Sequence, residues 1–337
     1  MNVFALLAVL AVIGSVPPAG TQIIDEATNQ WIQTLLIQPN RLKMRREIRE
    51  MPRKNLHDFF RALNIMKNDR SLRPNKYDAL CNFHAILKNI AHEGPGFLGW
   101  HRIYLILLEN ALNQIIPGIN IPYWNNTLDN SLFDPTQSSI FSDHFIGNGR
   151  GLVTVGPFAG WFTPHGPLHR NFGRVNRLMT TRDERNVMLR FYLEDITYPH
   201  APNWTNIEKM HNHVHTWVGG QMGKVESACY DPMFWMHHAY IDCIWEKFRT
   251  KQRMHDIDPS SDYPFFSYGK QTHAPNSQIG FGWLLVRHAV HEYFSHNFYQ
   301  CAPTPSCSRS QPNCGSSYLK CDLTRDICVP LVNLPNL

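Results

Sequence analysis

At 337 residues the chain is long enough for one large single-core domain plus a small appendage, and its formal net charge of +5 is too diffuse to mark a nucleic-acid surface. After the first residues no stretch approaches the roughly 20 consecutive apolar residues of a membrane helix, so no membrane anchor is expected. Eighteen histidines and eight cysteines point instead to metal and disulfide chemistry.

Residues 1–20 read as a secretory signal peptide, with an apolar run from Phe4 to Ile13 followed by Ser-Val-Pro-Pro-Ala-Gly. Residues 25–68 read as helices, including the stretch from His57 to Met66. In the run from Arg41 to Glu50, the interleaved Leu42, Met44 and Ile48 read as the apolar side of a solvated helix. Helical patterns recur at 77–92, 101–115, 205–218 and 236–250, separated by Pro- and Gly-punctuated connections. The stretch from Pro117 to Pro167 is rich in turn residues and should be irregular, packing over the helices. Two Asn-x-Ser/Thr sequons, at Asn125 and Asn203, fit a secreted glycoprotein.

Five cysteines, at 301, 307, 314, 321 and 328, are spaced by Pro, Ser, Asn and Gly. In an oxidising compartment this reads as a disulfide-stapled tail without an apolar core of its own. Five is odd, so one tail cysteine must pair with Cys81, Cys229 or Cys243, pair between chains, or stay free; spacing does not give the connectivity. The domain reading is therefore a signal at 1–20, a main domain at 21–298 and a Cys-rich tail at 299–337. The tail could staple the fold, cap an active-site mouth or bind matrix partners.

Two histidine clusters stand out. The first is His84, His92 and His101, with Gly94-Pro95-Gly96 between the last two. A span of nine residues is about two and a half turns, which would put His92 and His101 on opposite faces of one helix, and the Gly-Pro-Gly break forbids that helix. Helix, loop, helix must follow. His84 shares a face with Leu80 and Leu87, and His101 with Leu105 and Leu108, so both rings look inward.

The second cluster is His211 and His215, one turn apart, followed by the pair His237-His238. His213 lies about 200° around the helix from His211 and points away. His237 aligns with Ile241 and Ile244, His238 with Ile241 and Trp245, and spacing leaves the choice open. Ligation by imidazoles alone suits copper, zinc, iron or nickel, and two three-His sets favour copper. A zinc-protease reading fails because Asn212 stands where H-E-x-x-H needs its catalytic glutamate.

These residues resemble the signatures of the tyrosinase (type 3 copper) family: Phe97-Leu-Gly-Trp-His-Arg102 in the first motif, and His211-Asn-His-Val-His-Thr-Trp-Val-Gly-Gly220 with Asp231-Pro-Met-Phe-Trp-Met-His-His238 in the second. The resemblance continues through Arg46-Glu-Ile-Arg49, Pro122-Tyr-Trp124, Gly156-Pro-Phe158 and Arg170-Asn-Phe-Gly173, and the tail is similar to that of secreted molluscan members. It implies a mainly α fold, with a four-helix-bundle core holding a binuclear copper site, wrapped by long loops. By position, His84, His92 and His101 would hold the first copper, and His211, His215 and His238 the second, with dioxygen as co-substrate. Glu208 resembles the carboxylate that orients a water for phenol deprotonation, with Asn212 as its partner. Two departures are Asn125, where Asp is usual after Pro-Tyr-Trp, and Ile90, where some relatives carry a cysteine that crosslinks to the middle histidine; no thioether is expected here.

The resemblance implies a secreted, extracellular oxidase that hydroxylates monophenols and oxidises o-diphenols to o-quinones, serving melanin pigmentation, matrix tanning or biomineralisation. Its partners would be small phenols, or tyrosine and DOPA residues of matrix proteins, with no nucleic acid. The alternatives are a catechol oxidase, a haemocyanin-like oxygen binder, or a structural matrix protein with an occluded site.

Overall fold

The computed structural model describes residues 24–36, 42–264 and 271–332; the expected signal peptide lies outside them. The main helices are α1 (Glu26–Leu36), α2 (Arg53–Asn68), α3 (Lys76–Ile86), α4 (Lys88–Ala91), α5 (Phe97–Ile115), α6 (Asn126–Asn130), α7 (Thr181–Met188), α8 (Ile207–Val218) and α9 (Met233–Met254). Short two-stranded sheets join β1 (Lys43–Arg45) in parallel to β6 (Tyr299–Cys301), and pair β2 (Arg150–Leu152) with β5 (His169–Asn171). The others pair β3 (Phe162–Thr163) with β4 (Gly166–Pro167), and β7 (Leu319–Asp322) with β8 (Ile327–Pro330). The expected mainly helical core wrapped in irregular connections is what forms.

α5 is the axis of the molecule: every residue from Phe97 to Leu112 is buried, as befits a helix apolar nearly all round. It packs on α9, α2 and α1. α8 begins where Asn206 accepts the Lys209 N–H at 3.0 Å, a side-chain cap that satisfies an end-of-helix donor. It stops at Gly219 and Gly220, whose φ angles are +67° and +56°. A β-carbon at Gly220 would lie 1.9 Å from the His169 carbonyl oxygen, so only glycine lets α8 turn this tightly beside β5.

Residues 42–50 do not form the solvated helix that the pattern of the run suggests. They form β1 and a 3-10 turn at Ile48–Glu50, with Leu42 and Met44 exposed and Arg45 and Arg49 fully buried. Arg45 grips Glu109 of α5 through two bonds at 3.0 and 2.8 Å, and Asp242 of α9 at 2.7 Å. Arg102 of α5 reaches the other Asp242 oxygen at 3.0 Å. Arg49 pairs with Glu47 at 2.6 Å and with Asp129 of α6. These buried pairs override the local apolar period, because the acids that complete them come from distant helices. Arg102 follows His101 and Asp242 lies one turn after His238, so this network backs the layer that carries the histidines.

All eight cysteines pair: Cys81–Cys229, Cys243–Cys301, Cys307–Cys321 and Cys314–Cys328. The odd tail cysteine is Cys301, which ties β6 to α9. The tail hairpin rests on the 3-10 turn and α6: Ser316 Oγ donates to the Arg49 carbonyl, Arg325 Nη1 donates to the Ser131 carbonyl at 3.0 Å, and Tyr318 meets the Phe145 ring edge-on at 4.8 Å. Neither the hairpin nor the 3-10 turn and α6 beneath it carries a candidate histidine ligand.

Candidate metal centre

The six imidazoles come from five segments. His84 stands in the last turn of α3, His92 at the C-cap of the four-residue α4, and His101 in the second turn of α5. His211 and His215 lie on one face of α8, and His238 in the second turn of α9. The expected helix, loop, helix between His92 and His101 is present, with the break at residues 92–96.

Two trios form. One ligand atom each from His84, His92 and His101 lie within 4.8 Å of one another, and the same holds for His211, His215 and His238. In the second trio His238 Nε2 lies 2.9 Å from His211 Nε2 and 3.2 Å from His215 Nε2. The sets face each other: the His101 and His238 rings stack at 4.2 Å with planes 13° apart. Phe97 and Phe234 border both sets, Phe97 meeting His211 at 5.0 Å and Phe234 meeting His84 at 4.8 Å.

Five of the six rings are aimed by their other nitrogen, whereas His238 Nδ1 is buried without a hydrogen-bond partner among the described residues. Nδ1 donates to the Val225 carbonyl from His84 at 3.0 Å, to Lys88 from His92 at 3.0 Å, to Phe97 from His101 at 2.9 Å and to Met222 from His215 at 2.9 Å. His211 Nδ1 donates to Asn212 Oδ1 at 3.0 Å. A hydrogen fixed on Nδ1 leaves the Nε2 lone pair for a metal, the usual support for a ligating histidine. Burial pushes the ring pKa of His84, His101, His211 and His238 well below its ordinary value, and that of His215 down to about 4, so these rings are neutral donors at physiological pH.

A metal pair answers a need that the protein leaves open. The Nε2 atoms of His84 and His101 are buried with no hydrogen-bond partner, which is costly unless something else satisfies them. Two all-imidazole trios, the first with two orphaned nitrogens and the second with its Nε2 atoms crowded together, fit metals of the copper kind.

The pair His237-His238 is resolved by geometry. His238 joins the trio, whereas His237 stacks on His211 at 4.9 Å with planes 4° apart and meets the His211 carbonyl through Nε2 at 3.2 Å. His237 thus supports His211, a role no spacing argument assigned. The carbonyls of Met222 and Val225 were likewise beyond reach, since only the fold brings those loops under the rings. His213 is half-buried and belongs to neither trio.

Glu208 and Asn212 lie one turn apart on α8, but they serve different trios. Glu208 is buried and accepts the Glu93 backbone N–H at 2.7 Å, joining α8 to the loop after His92. Asn212 holds the His211 ring. Of the six candidate ligands five are buried and His92 is half-buried, so His92 marks the side of the site nearest solvent.

Helices that bring two buried three-imidazole sets face to face define a binuclear metal protein of the type 3 copper class. Residues 74–251 match the family described as the common central domain of tyrosinase. A "tyrosinase-like protein" of Pinctada maxima is 35% identical over 321 residues, which span 87% of this chain and 68% of that one. Among solved structures, a polyphenol oxidase from Thermothelomyces thermophila superposes with a TM-score of 0.59 at 14% identity, over 82% of this chain and 97% of its own. Deoxygenated hemocyanin from Rapana thomasiana gives 0.54 at 19% identity, over 77% and 70%. The chain belongs to the tyrosinase family. Its cofactor is a binuclear copper pair, with dioxygen as co-substrate of the family.

Proposed function

We propose that the chain is a copper-dependent phenol oxidase that hydroxylates monophenols and oxidises o-diphenols to o-quinones. His84, His92 and His101 hold the first copper, and His211, His215 and His238 the second. The observation that carries this reading is the pair of facing trios, five of whose rings are aimed by carbonyl oxygens, with His92 the least buried of the six. A bound copper pair supplies dioxygen activation and the electrons exchanged with the phenol. The protein supplies the rest: carbonyl-anchored rings fix the ligand geometry, Phe97 and Phe234 exclude water between the trios, and the half-buried His92 side admits substrate.

Glu208 is proposed as the group that takes the phenol proton through a water. One N–H bond does not exhaust a carboxylate, which offers about four lone-pair sites, and a nearby dication favours its ionised form. Asn212 acts by holding His211 rather than by meeting substrate.

We propose further that the protein is secreted and acts on phenols or on tyrosine and DOPA side chains of an extracellular matrix. Four disulfides support an oxidising destination, and no described helix is long and apolar enough to cross a membrane. Of the two sequons, Asn125 is fully buried and caps α6 through the Thr127 N–H at 3.1 Å, whereas Asn203 is exposed. A glycan belongs at Asn203 alone.

The copper-loaded chain should consume O2 and form quinone with both tyrosine and DOPA. Turnover of DOPA alone would remove the proton-transfer role of Glu208. Reversible O2 binding without turnover would favour an oxygen carrier, a reading to which the burial of five of the six rings lends support.

A further inference from the structure

His92 is the least buried candidate ligand, and the helix before it is only four residues long. Its position therefore depends on the loop that follows. That loop is strained: Glu93 adopts φ +60°, a left-handed conformation that a side-chain-bearing residue keeps only where its surroundings hold it.

One holder is Glu208, through the Glu93 N–H. The other is His273, which is fully buried and comes from a 3-10 turn at Gln271–His273, beyond the family-matched span. Its Nε2 donates to the His92 carbonyl at 2.9 Å, and its Nδ1 accepts the Gly96 N–H at 3.2 Å. The two bonds fix one neutral tautomer, with hydrogen on Nε2 and the lone pair on Nδ1. Tyr263 Oη secures the same turn by donating to the His273 carbonyl at 2.7 Å. The glycines of the loop fit this ring. A β-carbon at Gly94 would lie 2.5 Å from His273 Cγ and Cδ2, and one at Gly96 would lie 2.8 Å from Nδ1. The imidazole thus lies flat against the loop backbone, in the space two side chains would otherwise take.

We propose that His273 is a positioning residue for the first copper: by clamping residues 92–96 it holds the His92 ring in line with His84 and His101. It touches no metal itself. The proposal rests on the ligand assignment above.

The test uses the full chain loaded with two coppers and a chelator challenge that counts copper retained and its release rate. His92→Ala and His215→Ala serve as references for a damaged first and second site. His273→Phe keeps the ring bulk without either bond, and His273→Gln restores a donor toward the His92 carbonyl. The expected result is that His273→Phe releases one copper at least about tenfold faster, as loss of an outer support does, and leaves the second as tightly held as in the parent chain. His273→Gln should return release to within a few-fold, and the intact second site separates loss of the clamp from the fall in melting that losing buried hydrogen bonds brings in the copper-free Phe variant. Should His273→Phe fail to fold, Gly94→Ala, which pushes the ring away, takes its place with the same expectation. Parental release from His273→Phe and Gly94→Ala overturns the clamp, as does equally fast release from the Phe and Gln variants. If instead His92→Ala and His215→Ala both keep two tightly held coppers, the ligand assignment itself fails.

Discussion

The helices that carry the histidines and the hairpin of β7 and β8 are held by different means. Around α5 and α9 the apolar core is continuous, and buried arginines enter it as ion pairs such as Arg45 with Glu109 and Asp242. The hairpin has a separate small cluster of Leu128, Cys314, Leu319 and Cys328, in which half the buried members are one disulfide. A segment this short cannot bury enough apolar surface to order itself, so covalent links do what packing does elsewhere. The contrast teaches where rigidity is needed. Six rings must hold their places against metal exchange, while the hairpin only has to stay docked on the 3-10 turn and α6.

The sharpest way to break the comparison is to leave a charge unpaired in the core. Arg45→Met removes the partner of Glu109 and half the support of Asp242, both buried. Breaking a buried pair in this way costs about 3–5 kcal/mol. Denaturant unfolding of the copper-free chain should show that loss. A change below about 1 kcal/mol would mean the network is replaceable by packing.

Next in size is the one disulfide inside the core. Cys81–Cys229 closes a span of 148 residues and links α3, which bears His84, to the loop whose Val225 carbonyl aims that ring. Replacing both cysteines by alanine should cost about 3 kcal/mol and weaken copper retention as well, read from melting and from copper counts on the same samples. Loss of stability with copper retention intact would show that the link serves the chain and not the site.

These cases also show what could be read before the fold was known. The helix break before His101 was legible because Pro95 and its flanking glycines act locally. The trios were legible because a turn of helix puts His211 and His215 on one face. His237 against His238 was not, since both positions border the same apolar stripe and only the stacking on His211 separates them. The 41–50 run misled for a related reason. Whether an arginine is buried depends on acids 64 and 197 residues away, and no window on the local sequence contains them. His273 was invisible for the same cause, its partners being backbone atoms more than 170 residues earlier.

In the tail the effects should be smaller and confined. Removing Cys314–Cys328 by a double change to serine opens a 14-residue separation and loosens the hairpin by about 2–3 kcal/mol. Hydrogen exchange should rise in β7 and β8 while α5 and α9 keep their protection and both coppers stay bound. Exchange spreading into α5 would show that hairpin and core unfold as one unit.

The smallest effect comes from the contact that joins the two regions. Ser316 Oγ donates to the carbonyl of Arg49, whose guanidinium is already held by Glu47 and Asp129. Ser316→Ala deletes one donor to that carbonyl, so the expected cost is about 1 kcal/mol. Because Arg49 is fixed from its charged end, that cost should fall on the docking of the hairpin and not on the ion pairs beneath it. Faster proteolytic nicking of the tail, with the melting temperature of the core unmoved, is the outcome that keeps the two regions distinct. A matching drop in core melting would mean that the hairpin helps to hold Arg49, and through it the segment that supplies Arg45 to the helices behind the copper site.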